Sequence, residues 1–234
     1  MNSFRWFGRR IARWTCWLSS RGCLATSLLL LVPVAMLLGS QTAQAKNRER
    51  VVNIVMEDQF RNRCETGGLR GDVVVLVYAD RKGATAGQAL GRRLHVHFHP
   101  TAERASAAEW ARQPVVGLPG WPADLRVPDV RVVPVACLSE VPKPLQPVAR
   151  AHFRSSSPVV PVWLDFGDTM QRTFGMTHAV ENVAIIDTQG QVYGVLSGHF
   201  DGIRFQELVG SIDLLRRQAP PDARTIATPV NATQ

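Results

Sequence analysis

His95-Val96-His97-Phe98-His99 is the sharpest chemical pattern in the sequence. On a strand, alternation places all three imidazoles on one face, where three histidines can hold Zn²⁺ or Cu²⁺ with one position open. On a helix, His95 and His99 align and His97 points elsewhere. No cysteine or carboxylate ligand lies close by in sequence. The competing reading is therefore a solvated strand or helix end, with Val96 and Phe98 on the buried side. His152, His178 and His199 stand alone and read as surface or hydrogen-bonding residues.

Cysteine is the second possible source of chemistry. Of the four cysteines, Cys16 and Cys23 fall in the N-terminal segment, which leaves Cys64 and Cys137. Three readings stay open for this pair. They are separate thiols, a structural disulfide, or a redox couple with one low-pKa thiolate. A disulfide would close a 73-residue loop, worth about 4 kcal/mol in the chain-entropy model. A redox thiolate needs cationic surroundings, for which Arg61 and Arg63 are the only neighbours in sequence.

Arg81-Lys82 beside Gly83 offers a third possibility. At the start of a helix, two cations and the helix dipole agree in sign and can hold an anion. The alternative is an exposed basic turn. Trp110, Trp121 and Trp163 read as core or loop packing rather than a ligand cage. The sequence has no phosphate-binding glycine loop, nucleophile elbow or paired zinc-ligand motif.

The elements that must position these residues alternate strand and helix. Val51–Val55 is a short strand candidate, and Gly67-Gly68 and Gly71-Asp72 mark turns. Val73–Tyr78 is short, apolar and β-branched, as a strand buried on both faces should be. Ala84–Leu94 is a helix whose Gly87 and Gly91 form a smooth face able to sit close on a sheet. Residues 95–129 form an irregular insertion, with a helix expected over Ala102–Arg112 and a loop over Pro114–Pro128. Val130–Ala136 is a second central strand, in which Pro134 signals a bulge or strand end. Leu145–Arg154 and Asp168–Phe174 are helices, with Val159–Leu164 extended between them. Val183–Ile186 and Gln191–Leu196 flank Asp187-Thr188-Gln189-Gly190, a hairpin signal. Phe205, Leu208, Val209, Ile212 and Leu215 recur at helical spacing in the closing helix. There is no internal repeat. A βαβ unit followed by a β-hairpin and a helix is the thioredoxin layout, an α/β fold with a central mixed sheet and helices on both faces.

The ends of the chain differ in character. Residues 1–45 carry five arginines and no acid, then the apolar run Leu24–Leu38, then Ala43-Gln44-Ala45. Basic, apolar, then A-x-A is the order of an export signal, with an uncleaved signal anchor as the alternative. Cys23 precedes the apolar run, which argues against a lipoprotein site. The formal net charge of +8 belongs mostly to this segment. Without it, 22 basic residues face 19 acidic ones, and the electrostatic case for a nucleic-acid partner disappears. Residues 46–217 form the thioredoxin-like domain, and 218–234, rich in Pro, Thr and Ala, are expected to be a disordered tail.

Several motifs resemble a known family. Glu57-Asp58-Gln59-Phe60, then Leu69-Arg70-Gly71-Asp72 before the first core strand, resembles the opening of redoxin and peroxiredoxin-like domains, where a hairpin extends the fold at its N-terminus. The hydrophobic strand followed by Asp187-Thr188-Gln189-Gly190 resembles the hairpin of the same family. Tyr78-Ala79-Asp80-Arg81 is similar to the strand end of the cysteine-poor, exported YtfJ-like branch. The resemblance covers about residues 51–217 and implies thiol-disulfide chemistry at the start of the helix after the first core strand. There the chain reads Asp80-Arg81-Lys82-Gly83-Ala84-Thr85-Ala86, without a cysteine. The family's cis-proline position is taken by Glu181-Asn182. The expectation is an exported, extracytoplasmic binding or scaffold module with a degenerate site around Asp80, Arg81, Lys82 and Thr85. It requires no cofactor, and its partner is a protein or an anionic ligand. Membrane contact is expected only through the N-terminal segment. The alternatives are an atypical redoxin using Cys64 or Cys137, and a metal-binding protein using His95, His97 and His99.

Overall fold

The structure is a computed structural model that describes residues 50–220; the expected export signal and most of the expected tail lie outside them. Seven strands form one mixed sheet. They are β1 (Val55–Asp58), β2 (Arg63–Glu65), β3 (Val73–Ala79), β4 (Val130–Cys137), β5 (Trp163–Asp165), β6 (Asn182–Ile186) and β7 (Val192–Ser197). Their order is β2-β1-β5-β4-β3-β6-β7. Strands β3, β4 and β5 are parallel, and the remaining pairings are antiparallel. The helices are α1 (Ala84–Phe98), α2 (Gln146–Ser156), α3 (Thr169–Phe174) and α4 (Gly202–Arg217). This is the thioredoxin-like α/β fold with an N-terminal hairpin, β1–β2, on one side of the sheet.

Every residue of β3 is buried, and the reason is that both of its faces are covered. Val73, Val75 and Val77 pack with Leu90, Leu94 and Phe98 of α1 and with the apolar stripe of α4. Val74, Leu76 and Tyr78 pack on the opposite face with Met56, Trp163 and Met170. Continuous apolar character in a central strand follows directly from two-sided burial. Gly87 and Gly91 of α1 let the helix sit close. A Cβ on Gly87 would lie 3.5 Å from that of Ala79, and one on Gly91 would lie 3.9 Å from Val132.

Four local expectations need correction. The first strand runs over Val55–Asp58 rather than Val51–Val55, and Val51 makes only an isolated bridge to Gln191. Glu57 and buried Asp58 disguise β1 because they place polar side chains on a paired strand. Helix α1 continues to Phe98 because Leu90, Leu94 and Phe98, four residues apart, prolong its buried stripe. The helix expected over Ala102–Arg112 is replaced by two short 3₁₀ turns, Pro100–Arg104 and Trp110–Arg112. Only Ala102 in that stretch is buried, and helical propensity without a packed stripe does not sustain a helix. Pro134 sits within β4 without a bulge. Pairing with β5 begins only at Val135, so at Pro134 the strand has a neighbour on one side alone.

The insertion therefore begins at His99, and its fastenings are polar. Arg216, fully buried on α4, donates to the carbonyls of Pro128 (2.9 Å) and Val116 (2.6 Å) and pairs with Asp213 (2.9 Å). Buried Asp72 accepts from Arg126, from Arg131 Nε at 3.1 Å and from the Asp129 amide at 2.9 Å. At the end of the described residues Ala219 is fully buried. Among the described residues, no helix is long and apolar enough to cross a membrane.

Candidate functional site

The parallel strands end together at one edge of the sheet, where α/β folds place their binding sites. Asp80 follows β3, Cys137 ends β4 and Asp165 ends β5. Because β6 and β7 pair antiparallel, Asn182 and Ser197 arrive at the same edge, Asn182 opposite Tyr78.

Asp80 organises this edge. Its Oδ1 accepts the amides of Lys82 (3.0 Å) and Gly83 (2.9 Å). Its Oδ2 accepts the Ala179 amide (3.0 Å) and the His178 Nδ1 (3.1 Å). Burial pushes the carboxyl up, but these donors outweigh it and hold its pKa below the ordinary value. The result is a carboxylate at the turn before α1, in a stretch, residues 80–86, that contains no cysteine. Arg81, Lys82 and Thr85 are exposed. The amides of Lys82 and Gly83 are already engaged by Asp80.

The segment before β6 is bolted onto that turn. A Cβ on Gly83 would meet the Val180 carbonyl oxygen at 2.5 Å, so only glycine allows this approach. Tyr78 donates its hydroxyl proton to the Gly175 carbonyl at 2.6 Å. Asn182, fully buried at the start of β6, uses its whole hydrogen-bonding capacity. Its Nδ2 donates to the carbonyls of Thr177 (3.0 Å) and Val180 (3.1 Å). Its Oδ1 accepts the Thr177 amide (2.8 Å) and the Ser197 hydroxyl (2.6 Å). Glu181 is buried too, and its Oε1 accepts the Phe200 amide at 3.3 Å and pairs with exposed His199 at 3.3 Å.

The two cysteines are free thiols. Cys64 pairs with Met56 across β2–β1, and Cys137 pairs with Asp165 across β4–β5. Two strands lie between them, a separation of about 14 Å at the usual strand spacing, against the 7 Å a disulfide tolerates. This removes the disulfide reading and the intramolecular redox couple in this fold. Burial, then Asp165, Asp168 and Asp80, push the Cys137 thiol up to about 12. Burial and Asp58 also raise Cys64. Arg63, one of its expected activators, pairs with Glu65 instead at 3.7 Å.

The three histidines of the opening pattern do not converge. His95 and His97 lie on α1, with His99 just beyond it. His95 stacks between His99 (4.3 Å) and Trp110 (3.8 Å), and its Nε2 donates to the Trp110 carbonyl at 2.8 Å. His99 Nδ1 donates to the His95 carbonyl (3.1 Å), and its Nε2 bonds Asp129 (2.8 Å). His97 turns the other way, edge-on to Phe205. The metal-binding expectation rested on strand alternation, and the helix overrides it. Among the described residues, no three histidine, cysteine or acidic side chains are grouped to hold a metal ion.

Sequence reasoning named Asn182 for its place before β6 but not its bonds, and it missed Tyr78 and Gly175 as parts of the site. Asp80 with Gly83 three residues later is a readable turn-capping signal. The contacts of Asn182 and Tyr78 depend on the fold and leave no local mark.

Strand order, the crossover helices and the site at the parallel-strand edge define a thioredoxin-like domain. No protein-family model matches the chain, and no curated protein matches it. Solved structures with the same fold include the exposed lipoprotein thioredoxin of Streptococcus pneumoniae, at 13% identity over 70% of this chain and 100% of that one, TM-score 0.46. Another is a thiol:disulfide interchange protein DsbE from Chlorobium tepidum, described as putative, at 14% identity over 73% and 97%, TM-score 0.44. A secreted thiol-disulfide isomerase of Corynebacterium glutamicum is 11% identical over 72% and 86%, TM-score 0.45. The fold assignment rests on the strand order itself.

Proposed function

We propose that the chain is an exported thioredoxin-like domain that works as a binding or scaffold module without thiol-disulfide turnover, akin to the cysteine-poor YtfJ-like branch. The observation that carries this reading is the turn into α1, where residues 80–86 hold no cysteine and the Asp80 carboxylate ties the turn to residues 178–179. A carboxylate there neither attacks a disulfide nor reduces a peroxide. The leader and Ala43-Gln44-Ala45 support export.

What the edge still offers to a partner is the exposed pair Arg81 and Lys82. An anion there meets these two side chains, with the Lys82 and Gly83 amides already engaged by Asp80. Binding is then weak and salt-sensitive, and fits an acidic segment of a protein better than a free anion. Amide chemical-shift perturbation with an acidic peptide at low and high salt tests it. Shifts confined to residues 80–86, lost on high salt and in Arg81→Ala/Lys82→Ala, are expected. Shifts elsewhere, or none at low salt, leave the turn as plain solvated surface.

A further inference from the structure

The insertion contains a loop that is fixed at both ends and clasped in the middle. At one end buried Ala102 donates its amide to the His99 carbonyl (2.9 Å), and at the other the Val116 amide donates to the Phe98 carbonyl (2.7 Å). None of the residues between them is buried, and Val115, beside the second end, is half-buried against the core. The turns in the loop close on themselves, Glu109 donating to Ser106 and Arg112 to Glu109. Turns this short do not hold their shape in water unaided. The hydrogen bond and the ring contact that join residues 103–115 to α1 both belong to Trp110. Its indole stacks on His95 (3.8 Å), and its carbonyl accepts from His95 Nε2 (2.8 Å).

This clasp suits a neutral His95 and no other. The ring is buried, gives its Nε2 proton to Trp110 and stacks on His99 as well (4.3 Å). His99 is buried with both ring nitrogens on acceptors, the His95 carbonyl (3.1 Å) and the Asp129 carboxylate (2.8 Å). A doubly protonated ring satisfies both bonds, so a charge on His95 would sit face to face with a second imidazolium. Burial and then His99 hold the His95 pKa below its ordinary value, against the Trp110 carbonyl and Asp129. The remaining charges around the stack are engaged or point to water. Asp129 also takes Arg131 (3.2 Å), and Arg216 of α4 is tied to Asp213. Glu103 and Arg104 before the loop's second turn, and Glu109 and Arg112 beside Trp110, are exposed.

We propose that His95 and Trp110 form an acid-sensitive clasp, in which charging of His95 releases residues 103–115 from α1 while the sheet and α4 stay folded. The clasp lies at the C-terminal end of α1 and the Asp80 turn at its N-terminal end, so the proposal does not rest on the function proposed above. A lowered folded-state pKa makes the closed loop fully stable above about pH 6.5 and progressively less so below it.

The test is amide hydrogen exchange of the full chain at pH 7 and pH 5, expressed as protection after the intrinsic pH dependence is divided out. Protection over residues 103–115 should fall about tenfold between the two, and no faster than about tenfold per pH unit, the limit for one proton. Protection of β3 and α4 should stay unchanged. His95→Gln keeps a side-chain donor for the Trp110 carbonyl without a charge to gain, and should abolish the fall. His97→Gln, whose ring faces Phe205 instead, should leave it intact. His99→Gln removes the stacked neighbour and should reduce it, which gives a second variant should His95→Gln alter the circular dichroism at pH 7. Unchanged protection in the parent would overturn the proposal. So would a loss shared equally by β3 and α4, which is general acid unfolding, or one undiminished in His95→Gln or His99→Gln.

Discussion

At the scale of single residues, Asp80 sets the character of the site. It accepts from two amides of its own turn and from two donors of the segment before β6. Asp80→Ala should lower stability by about 1–2 kcal/mol, in the range of a lost capping carboxylate. Hydrogen exchange should rise locally over residues 175–181, which chemical denaturation combined with exchange would register. The folded-state pKa of Asp80 is lowered, so its contribution is complete above the ordinary carboxylate pKa and is lost as pH falls below it. Asp80→Ala should therefore be less acid-dependent than the parent between about pH 4 and pH 2. The residue-scale picture was half legible in sequence. The absent cysteine, Asp80 and Gly83 can be read directly. Asn182 cannot, because its four bonds join segments that meet only when β6 and β7 reach the edge.

At the scale of elements, the insertion is held by buried polar groups as well as by Ala102, Val115 and Leu118. His95 is the titratable member of its stack on α1. Burial lowers its pKa, the Trp110 carbonyl partly offsets this, and His99 lowers it further while Asp129 raises it. Asp129 pairs with His99 and Arg131, and Arg216 lies within electrostatic reach of it from α4. A depressed folded-state pKa favours neutral His95, so its contribution is full above about pH 6.5 and declines as pH falls. Stability should drop on acidification from pH 7 to 5. Trp110 fluorescence, in a variant with Trp6, Trp14, Trp17, Trp121 and Trp163 replaced by Phe, should change over the same interval, and His95→Gln should flatten both curves. Arg216→Met should cost about 3 kcal/mol, because the carbonyls of Pro128 and Val116 lose a charged donor in a buried setting. Thermal unfolding measures this directly. The histidine pattern illustrates why periodicity over five residues is ambiguous. Strand and helix both accommodate it locally, and the stripe Leu90, Leu94, Phe98 decides for the helix.

At the scale of the whole molecule, the fold was legible because its strongest signals are long and two-sided. Val73–Tyr78, the hairpin at residues 187–190 and the stripe from Phe205 to Leu215 each specify one element without help from the rest. The edge β-hairpin and the insertion were less legible because their residues are polar and their pairing is set at long range. The same organisation would let a thioredoxin-like frame persist without thioredoxin chemistry. Its stability resides in the two apolar layers around β3, and the site turn is secured separately by Asp80, Tyr78 and Asn182. The central claim, that this edge has no thiol turnover, is tested most directly by reduction of insulin disulfides with the full chain and dithiothreitol at neutral pH. The account predicts the rate of dithiothreitol alone, unchanged by Cys64→Ser or Cys137→Ser. Turnover above that background, abolished by either substitution, would contradict it and make the protein a thiol oxidoreductase.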